Sequence, residues 1–288
     1  MASVSQFCLP SMAFGHNLDQ GDALQPFSLH CHDCYEVYLF VSGEGYYVIE
    51  GNRYELRPLS LLVIRPGEVH CFRQTGQCDY ERYVINFASD AIGSEGELPR
   101  TLLDPFLQRE MGKQNLYYIS EDGILFRIFR EFDEIARLRP QTGPFEAGRL
   151  LGVMLANLAR SMAAPAGSPG ESETSCRLIN GVIQYINENL TRPLRLDEIA
   201  SHFYVSKYHL SRMFKKLIGV SVIDYVIRKR IFLAERLLRN GSTTAEACAG
   251  AGFGDYTSFY RSFRRVTGFS PAQMKNREPV YVPSRTHT

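Results

Sequence analysis

The chain has 288 residues, 44% of them hydrophobic and 22% charged, an ordinary globular composition that excludes disorder and has the length for two domains. The net charge of +1 conceals a split: residues 1–175 carry 14 Lys/Arg against 23 Asp/Glu, and residues 176–288 carry 18 against 8. No apolar run approaches the ~20 residues of a membrane span and residues 1–10 lack a signal-peptide pattern, so the expectation is a cytoplasmic protein with no membrane partner.

Seven cysteines, an odd number without framework spacing, read as reduced thiols. From the N-terminus, residues 26–87 show short Val/Ile/Tyr/Leu/Phe runs at 37–41, 46–49, 61–64 and 80–87, broken by Ser42-Gly43-Glu44-Gly45 and Glu50-Gly51-Asn52. Short strands with Gly-bearing turns predict an antiparallel sandwich or barrel. Residues 121–139 then switch to a helical period through Ile124, Leu125, Ile128, Phe132 and Ile135, and 145–162 repeat it through Leu151, Met154, Leu155 and Leu158. These two amphipathic helices pack either on the barrel or on a second copy, making a homodimer an expected partner.

Residues 163–175 (AAPAGSPGESETS) lack apolar periodicity and predict a linker. The expected domains are therefore 1–162, the linker 163–175 and 176–288. In the last of these, 178–190, 196–203 and 207–217 predict three helices, the third N-capped by Ser206 after a tight turn at Tyr204-Val205. A short helix, a tight turn and a helix exposing Lys207, Tyr208, Ser211, Arg212, Lys215 and Lys216 suit major-groove reading. Arg212 has the geometry for a guanine edge; Lys215 and Lys216 are placed for phosphates.

The pattern recurs at an offset of 49 residues: Leu210 maps to Phe259, Arg212 to Arg261, Phe214 to Phe263, Gly219 to Gly268 and Ser221 to Ser270. An internal repeat of cap, core stripe and exposed Arg is far more specific than one motif alone. Between the copies, 222–238 predicts one long helix carrying Arg228, Lys229 and Arg230, a spacer able to set two recognition helices in successive grooves ~34 Å apart.

The segments Leu196-Asp197-Glu198-Ile199-Ala200, Ser206 to Lys216 with Gly219, and Gly252-Phe253-Gly254-Asp255 through Phe263 to Gly268-Phe269-Ser270-Pro271 together resemble the signature of the AraC/XylS family of transcription regulators. The resemblance covers about 178–275. It implies base contacts at Tyr208, Ser211 and Arg212 and at Tyr256, Thr257 and Arg261, with Asp255 and Arg264 in the same interface; double-stranded promoter DNA and RNA polymerase are the implied partners. One departure is the small-residue helix Thr244-Ala245-Glu246-Ala247-Cys248, where the family usually has larger aliphatic residues; looser packing is expected there.

In the N-terminal half, His30-Cys31-His32, Glu36 and Gly43, followed by Gly67-Glu68-Val69-His70, resemble the two cupin motifs, with Pro66 one place late and Gln74 where many metal cupins have Asn. In a strand, His30 and His32 would share a face. Three imidazoles and a carboxylate suit a divalent metal; His30, His32, Glu36, Tyr38 and His70 are also candidates to contact a small organic effector, with Phe27, Tyr35 and Tyr46 as pocket aromatics, and a third reading is structural, the His and Glu hydrogen-bonding only one another inside the barrel. Cys31, Cys34 and Cys71 leave a thiol sensor as a further reading. The fold class expected is thus a two-domain α+β chain: a cupin-like β-barrel with two accessory helices, then an all-α double helix-turn-helix. The function expected is an effector-sensing transcription regulator without enzymatic activity; the alternative is a cupin metalloenzyme fused to a DNA-binding module.

Overall fold

The computed structural model describes residues 2–21, 29–91, 100–138, 143–161 and 174–275. Phe27 and residues 163–173 of the expected linker lie outside the described residues, and 174–175 already belong to a helix.

Among the described residues, nine strands form two sheets. The first is six-stranded, ordered β1 (Ala2–Leu9), β2 (Met12–Asp19), β8 (Tyr80–Phe87), β3 (Tyr35–Ser42), β6 (Ser60–Ile64) and β9 (Leu116–Tyr118). The second is ordered β5 (Asn52–Glu55), β4 (Gly45–Ile49) and β7 (His70–Gln74). Every strand pairing among the described residues is antiparallel. The expected barrel is thus a sandwich of two facing sheets, not one closed hydrogen-bonded ring, among the described residues. Between them Tyr38, Phe40, Leu62, Ile64 and Tyr80 of one sheet meet Tyr47, Ile49, Tyr54 and Phe72 of the other.

Strand β3 explains its own sequence. Tyr38 and Phe40 point between the sheets, while Val37 and Leu39 point outward into a second core. A strand covered on both faces reads as an unbroken apolar run. The cover is α1 (Asp104–Leu107), α2 (Ile124–Leu138) and α3 (Gly143–Ser161), which bury Phe106, Phe129, Phe132, Leu151 and Leu155 against that face. His16 pins α2 to the sheet, with Nδ1 3.0 Å from Asp133 and Nε2 2.7 Å from Glu81. Strands β1 and β2 were not expected from the sequence: Ser3, Ser5 and Gln6 give β1 no apolar alternation, and its pairing with β2 supplies the order.

The C-terminal half is α-helical: α4 (Thr174–Glu188), α5 (Leu196–His202), α6 (Lys207–Ile218), α7 (Val222–Arg239), α8 (Thr244–Gly250), α9 (Tyr256–Thr267) and α10 (Pro271–Lys275). Two cores divide it. Ile183, Ile199, Leu210, Phe214 and Tyr225 make one; Ala234, Leu238, Ala247, Phe259 and Phe263 make the other. Helix α7 contributes to both and spans from one to the other. The small residues of α8 do not leave it loose: Ala247 and Cys248 are buried, and Thr243 with Glu246 forms a reciprocal capping box.

Candidate functional site

The arrangement of the two helix-turn-helix units follows from the repeat. Ser206 and Asp255 are both extended-backbone N-caps, accepting from His209 N–H and Ser258 N–H at 3.2 and 2.7 Å. Gly219 and Gly268 close α6 and α9 in the left-handed region. With Leu210, Phe214, Phe259 and Phe263 buried, the opposite faces are presented outward. Lys207, Tyr208, Arg212, Lys215 and Lys216 on α6 are exposed, as are Tyr256, Thr257, Arg261 and Arg264 on α9 and the caps Ser206 and Asp255; Ser211 is half-buried. Lys207 is partly engaged by Asp197 at 3.2 Å.

The turns before α6 and α9 differ by one residue. Tyr204 N–H donates to Ser201 O and Gly252 N–H to Ala249 O, so both occupy the same left-handed position, at φ +55° and +82°. Tyr204 is 97% exposed there, and sequence reading treated it only as part of a turn.

Of the three basic residues read on the spacer helix, one is not on the surface. Lys229 is buried, and Arg230 turns back to Leu190 O and Arg192 O at 2.9 and 2.6 Å, closing the end of α4. The spacing could have shown this: Tyr225, Val226, Lys229 and Phe232 occupy i, i+1, i+4 and i+7 of one stripe.

The histidines converge, although not by the expected route. His30 and His32 do not lie in a regular strand; His30 forms a single antiparallel bridge with His70 and His32 lies in the loop leading to β3. Their ligand atoms and that of His70 nonetheless all lie within 4.8 Å of one another. Glu36, at the start of β3, reaches in with Oε2 3.0 Å from His32 Nε2 and 3.9 Å from His70 Nε2. Asn86, opposite Glu36 in the β3–β8 register, donates to the same oxygen at 2.9 Å; that cross-strand neighbour escaped sequence reading.

The protonation pattern is asymmetric. Burial and the neighbouring His30 hold His70 well below its usual range, so it is neutral. Its Nδ1–H donates to Glu68 O at 2.7 Å, a tautomer that leaves the Nε2 lone pair facing the cluster. His70 Nε2 is buried without a hydrogen-bond partner among the described residues. His32 goes the other way. Burial opposes its charge, but the Cys34 side chain and Glu36 raise it well above the usual range, with Nδ1 3.1 Å from both Cys34 Sγ and Cys34 O. Burial would raise Glu36; the hydrogen bond from His32 and the surrounding imidazoles outweigh it and hold the carboxyl far below the ordinary range. An unpartnered imidazole nitrogen beside two more imidazoles and a carboxylate fits a divalent metal's donor set.

The other expected pocket residues scatter. Tyr38 lies between the sheets, its hydroxyl hydrogen-bonded to that of Tyr80, and is separated from His70 by Tyr47, whose ring centroid is 4.9 Å from Tyr38 and 6.0 Å from His70. Tyr35 alternates to the opposite face and stacks on Phe87, and Tyr46 lies under Arg53 on the outer face of its sheet. Gln74 donates to Cys78 O in the loop that leads from β7 to β8. Burial pushes the thiols of Cys31 and Cys71 up to about 11, the reverse of the lowered value a reactive thiol sensor requires.

Two family models match the chain: an AraC-like ligand binding domain over residues 18–132 and a helix-turn-helix domain over 199–277. A ligand-binding sandwich joined to paired helix-turn-helix units defines an effector-sensing, DNA-binding regulator of transcription. The chain belongs to the AraC family of transcription regulators. It is 26% identical over 258 residues to the HTH-type transcriptional regulator YfiF of Bacillus subtilis, covering 86% of this chain and 78% of that one. It is 24% identical to the HTH-type transcriptional activator RhaR of Cronobacter sakazakii, with 85% of each chain covered. Over 96 residues it is 32% identical to the HTH-type transcriptional activator AarP of Providencia stuartii, 33% of this chain and 71% of that protein. No helix among the described residues is long and apolar enough to cross a membrane.

Proposed function

We propose that the cluster of His30, His32, Glu36 and His70 is the sensory site of this regulator, and that its occupancy biases DNA contact by α6 and α9. The observation that carries the reading is the convergence of three imidazole ligand atoms within 4.8 Å, around a buried and unpartnered His70 Nε2. A divalent metal bound there would be held by these imidazoles and the Glu36 carboxylate and would supply a fixed positive charge. The chain's own groups do the rest: Glu68 O fixes the His70 tautomer, Asn86 orients Glu36, and Cys34 O orients His32. Because a bound ligand can shift an equilibrium only by its differential affinity for two states, the site must differ between the DNA-competent and the resting arrangement.

In this reading the unit upstream of 163–175 senses, the unit from 176 onward reads DNA through Tyr208, Ser211, Arg212, Tyr256, Thr257 and Arg261, and the protein acts in the cytoplasm without catalysing a reaction. Promoter-bound protein contacts RNA polymerase, and α2 and α3 join two copies. The exposed Ile124, Leu138, Phe145 and Val153 on those helices support the last point.

Native mass spectrometry of the full-length chain, with metal quantified, tests the site beside a His70→Ala variant. Stoichiometric metal lost in the variant supports metal sensing. A metal-free protein carrying a small organic mass replaces the metal by an organic effector in the same pocket, and retention of metal by the variant overturns the assignment.

A further inference from the structure

The sheet that carries His70 also grips the DNA-binding half. Val48 and Cys71 of β4 and β7, with Leu29 and Val69, share one core with Ile179, Val182 and Ile183 of α4 and with Val222, Tyr225 and Val226 of α7. Glu50, in the β4–β5 turn, is buried at its centre. Its Oε1 accepts from Val69 N–H at 2.7 Å and from Lys229 Nζ at 3.0 Å; its Oε2 accepts from Asn187 Nδ2 at 2.9 Å and Tyr225 Oη at 2.7 Å. Lys229 Nζ also donates to Gly67 O at 2.8 Å. Three residues past His70 on β7, Arg73 donates to Ile218 O at 3.2 Å, at the C-terminal end of the first recognition helix.

The segment 67–73 therefore faces two ways. Toward the cluster, Gly67 N–H donates to His32 O at 3.1 Å, and His30 and His70 exchange backbone hydrogen bonds at 3.1 and 2.8 Å. Toward the helices, it presents Gly67 O to Lys229 and Arg73 to α6. The approach is close: a Cβ on Gly67 would lie 2.6 Å from the Phe232 ring.

We infer that segment 67–73 transmits the state of the histidine cluster to α6 and α7, with the buried Glu50–Lys229 pair as the latch that makes docking of the two halves all-or-none. The inference rests on the cluster being the sensory site. Its physical basis is that a half-open latch strands a buried charge, which is costly, whereas a closed or fully hydrated one does not. Packed interfaces of this kind switch between discrete arrangements and do not deform continuously. In the docked arrangement Tyr208, Arg212, Tyr256 and Arg261 remain exposed, so docking does not mask the recognition surface; it restrains the first unit. Coupling is reciprocal: whatever loosens the latch changes affinity at the cluster by the same factor that occupancy changes docking.

Hydrogen–deuterium exchange and Zn2+ titration on the full-length chain test this, using Lys229→Met and the milder Arg73→Ala. Lys229→Met is expected to raise exchange in 48–56, 66–74 and 222–232 while β2, β8 and α2 stay protected, which separates undocking from unfolding. The dissociation constant for Zn2+ is expected to move by about five-fold or more in Lys229→Met and in the same direction in Arg73→Ala. Unchanged exchange in 222–232, or Zn2+ affinity equal to wild type in both variants, overturns the inference. A wild-type chain that takes up no Zn2+ overturns the metal reading of the site instead. His70→Ala then decides the latch: raised exchange in 222–232 supports transmission, and exchange raised only in strands next to residue 70 overturns it.

Discussion

Lys229 of α7 lies 3.0 Å from Glu50, a residue 179 positions earlier, and both side chains are buried where the two halves of the chain meet. Each is over-determined by further partners, Tyr225 and Asn187 on the carboxylate and Gly67 O on the ammonium. Removing one member leaves the other as an uncompensated buried charge, worth about 3–5 kcal/mol of stability. Lys229→Ala is expected to cost that much in urea denaturation. The Glu50→Gln/Lys229→Met double variant is expected to recover a large part of it. Additive losses in the double-mutant cycle would show that the two side chains do not interact.

On the recognition surface, Arg212→Ala and Arg261→Ala are expected to weaken binding by about 1–3 kcal/mol and to relax discrimination at one base pair each. Lys216→Ala should lower affinity on every sequence and flatten the salt dependence by about one unit of slope. Binding to a set of single-base operator variants, measured over a salt series, separates the two roles; a uniform loss for Arg212→Ala would make it a phosphate contact.

Tyr204 holds a left-handed backbone at φ +55° while 97% exposed, in the position Gly252 fills in the second unit. A side chain there is strained and packs against nothing that rewards it. Tyr204→Gly is expected to raise stability by about 0.5–1 kcal/mol after the extra chain entropy of glycine, read as a higher urea midpoint at unchanged slope. A lower midpoint would mean the ring contributes to the fold.

Burial pushes Glu235 up to about 7, with Arg239 opposing and Asp33 reinforcing the shift. The folded state therefore holds a proton that the unfolded chain releases near 4.5. Wherever the native state binds more protons, stability falls as pH rises. The wild type should be strongest relative to Glu235→Gln below about 4.5 and lose that advantage as pH climbs through 7. Thermal melts of both proteins from pH 4.5 to 8 check the sign; parallel curves would remove Glu235 from the account.

Helices α2 and α3 leave Leu138 and Phe145 exposed by 73% and 72%, and Val153 by 47%. Phe145→Asp combined with Val153→Asp is expected to shift sedimentation from dimer to monomer without loss of folded structure. A wild-type chain sedimenting as a monomer would assign that face another role.

Much of the DNA-binding half was legible in the sequence because its determinants are local. Caps at Ser206 and Asp255, left-handed glycines at 219 and 268, and a stripe through Leu210, Phe214, Phe259 and Phe263 act within one or two helical turns, so they survive reading in one dimension. The spacing of His30, His32, Glu36 and His70 likewise marked a shared site. What sequence alone could not decide was long-range. The first two strands exist because β1 pairs with β2 and β2 with β8, not through their own alternation. His30 and His32 meet His70 through one backbone bridge, not a strand face. Lys229 looked like one more charge on a basic helix; only the fold brings Glu50 to it. A local pattern carries its own energetics, whereas a buried charge is tolerable only where a distant segment supplies its partner, and that pairing exists in the tertiary structure alone.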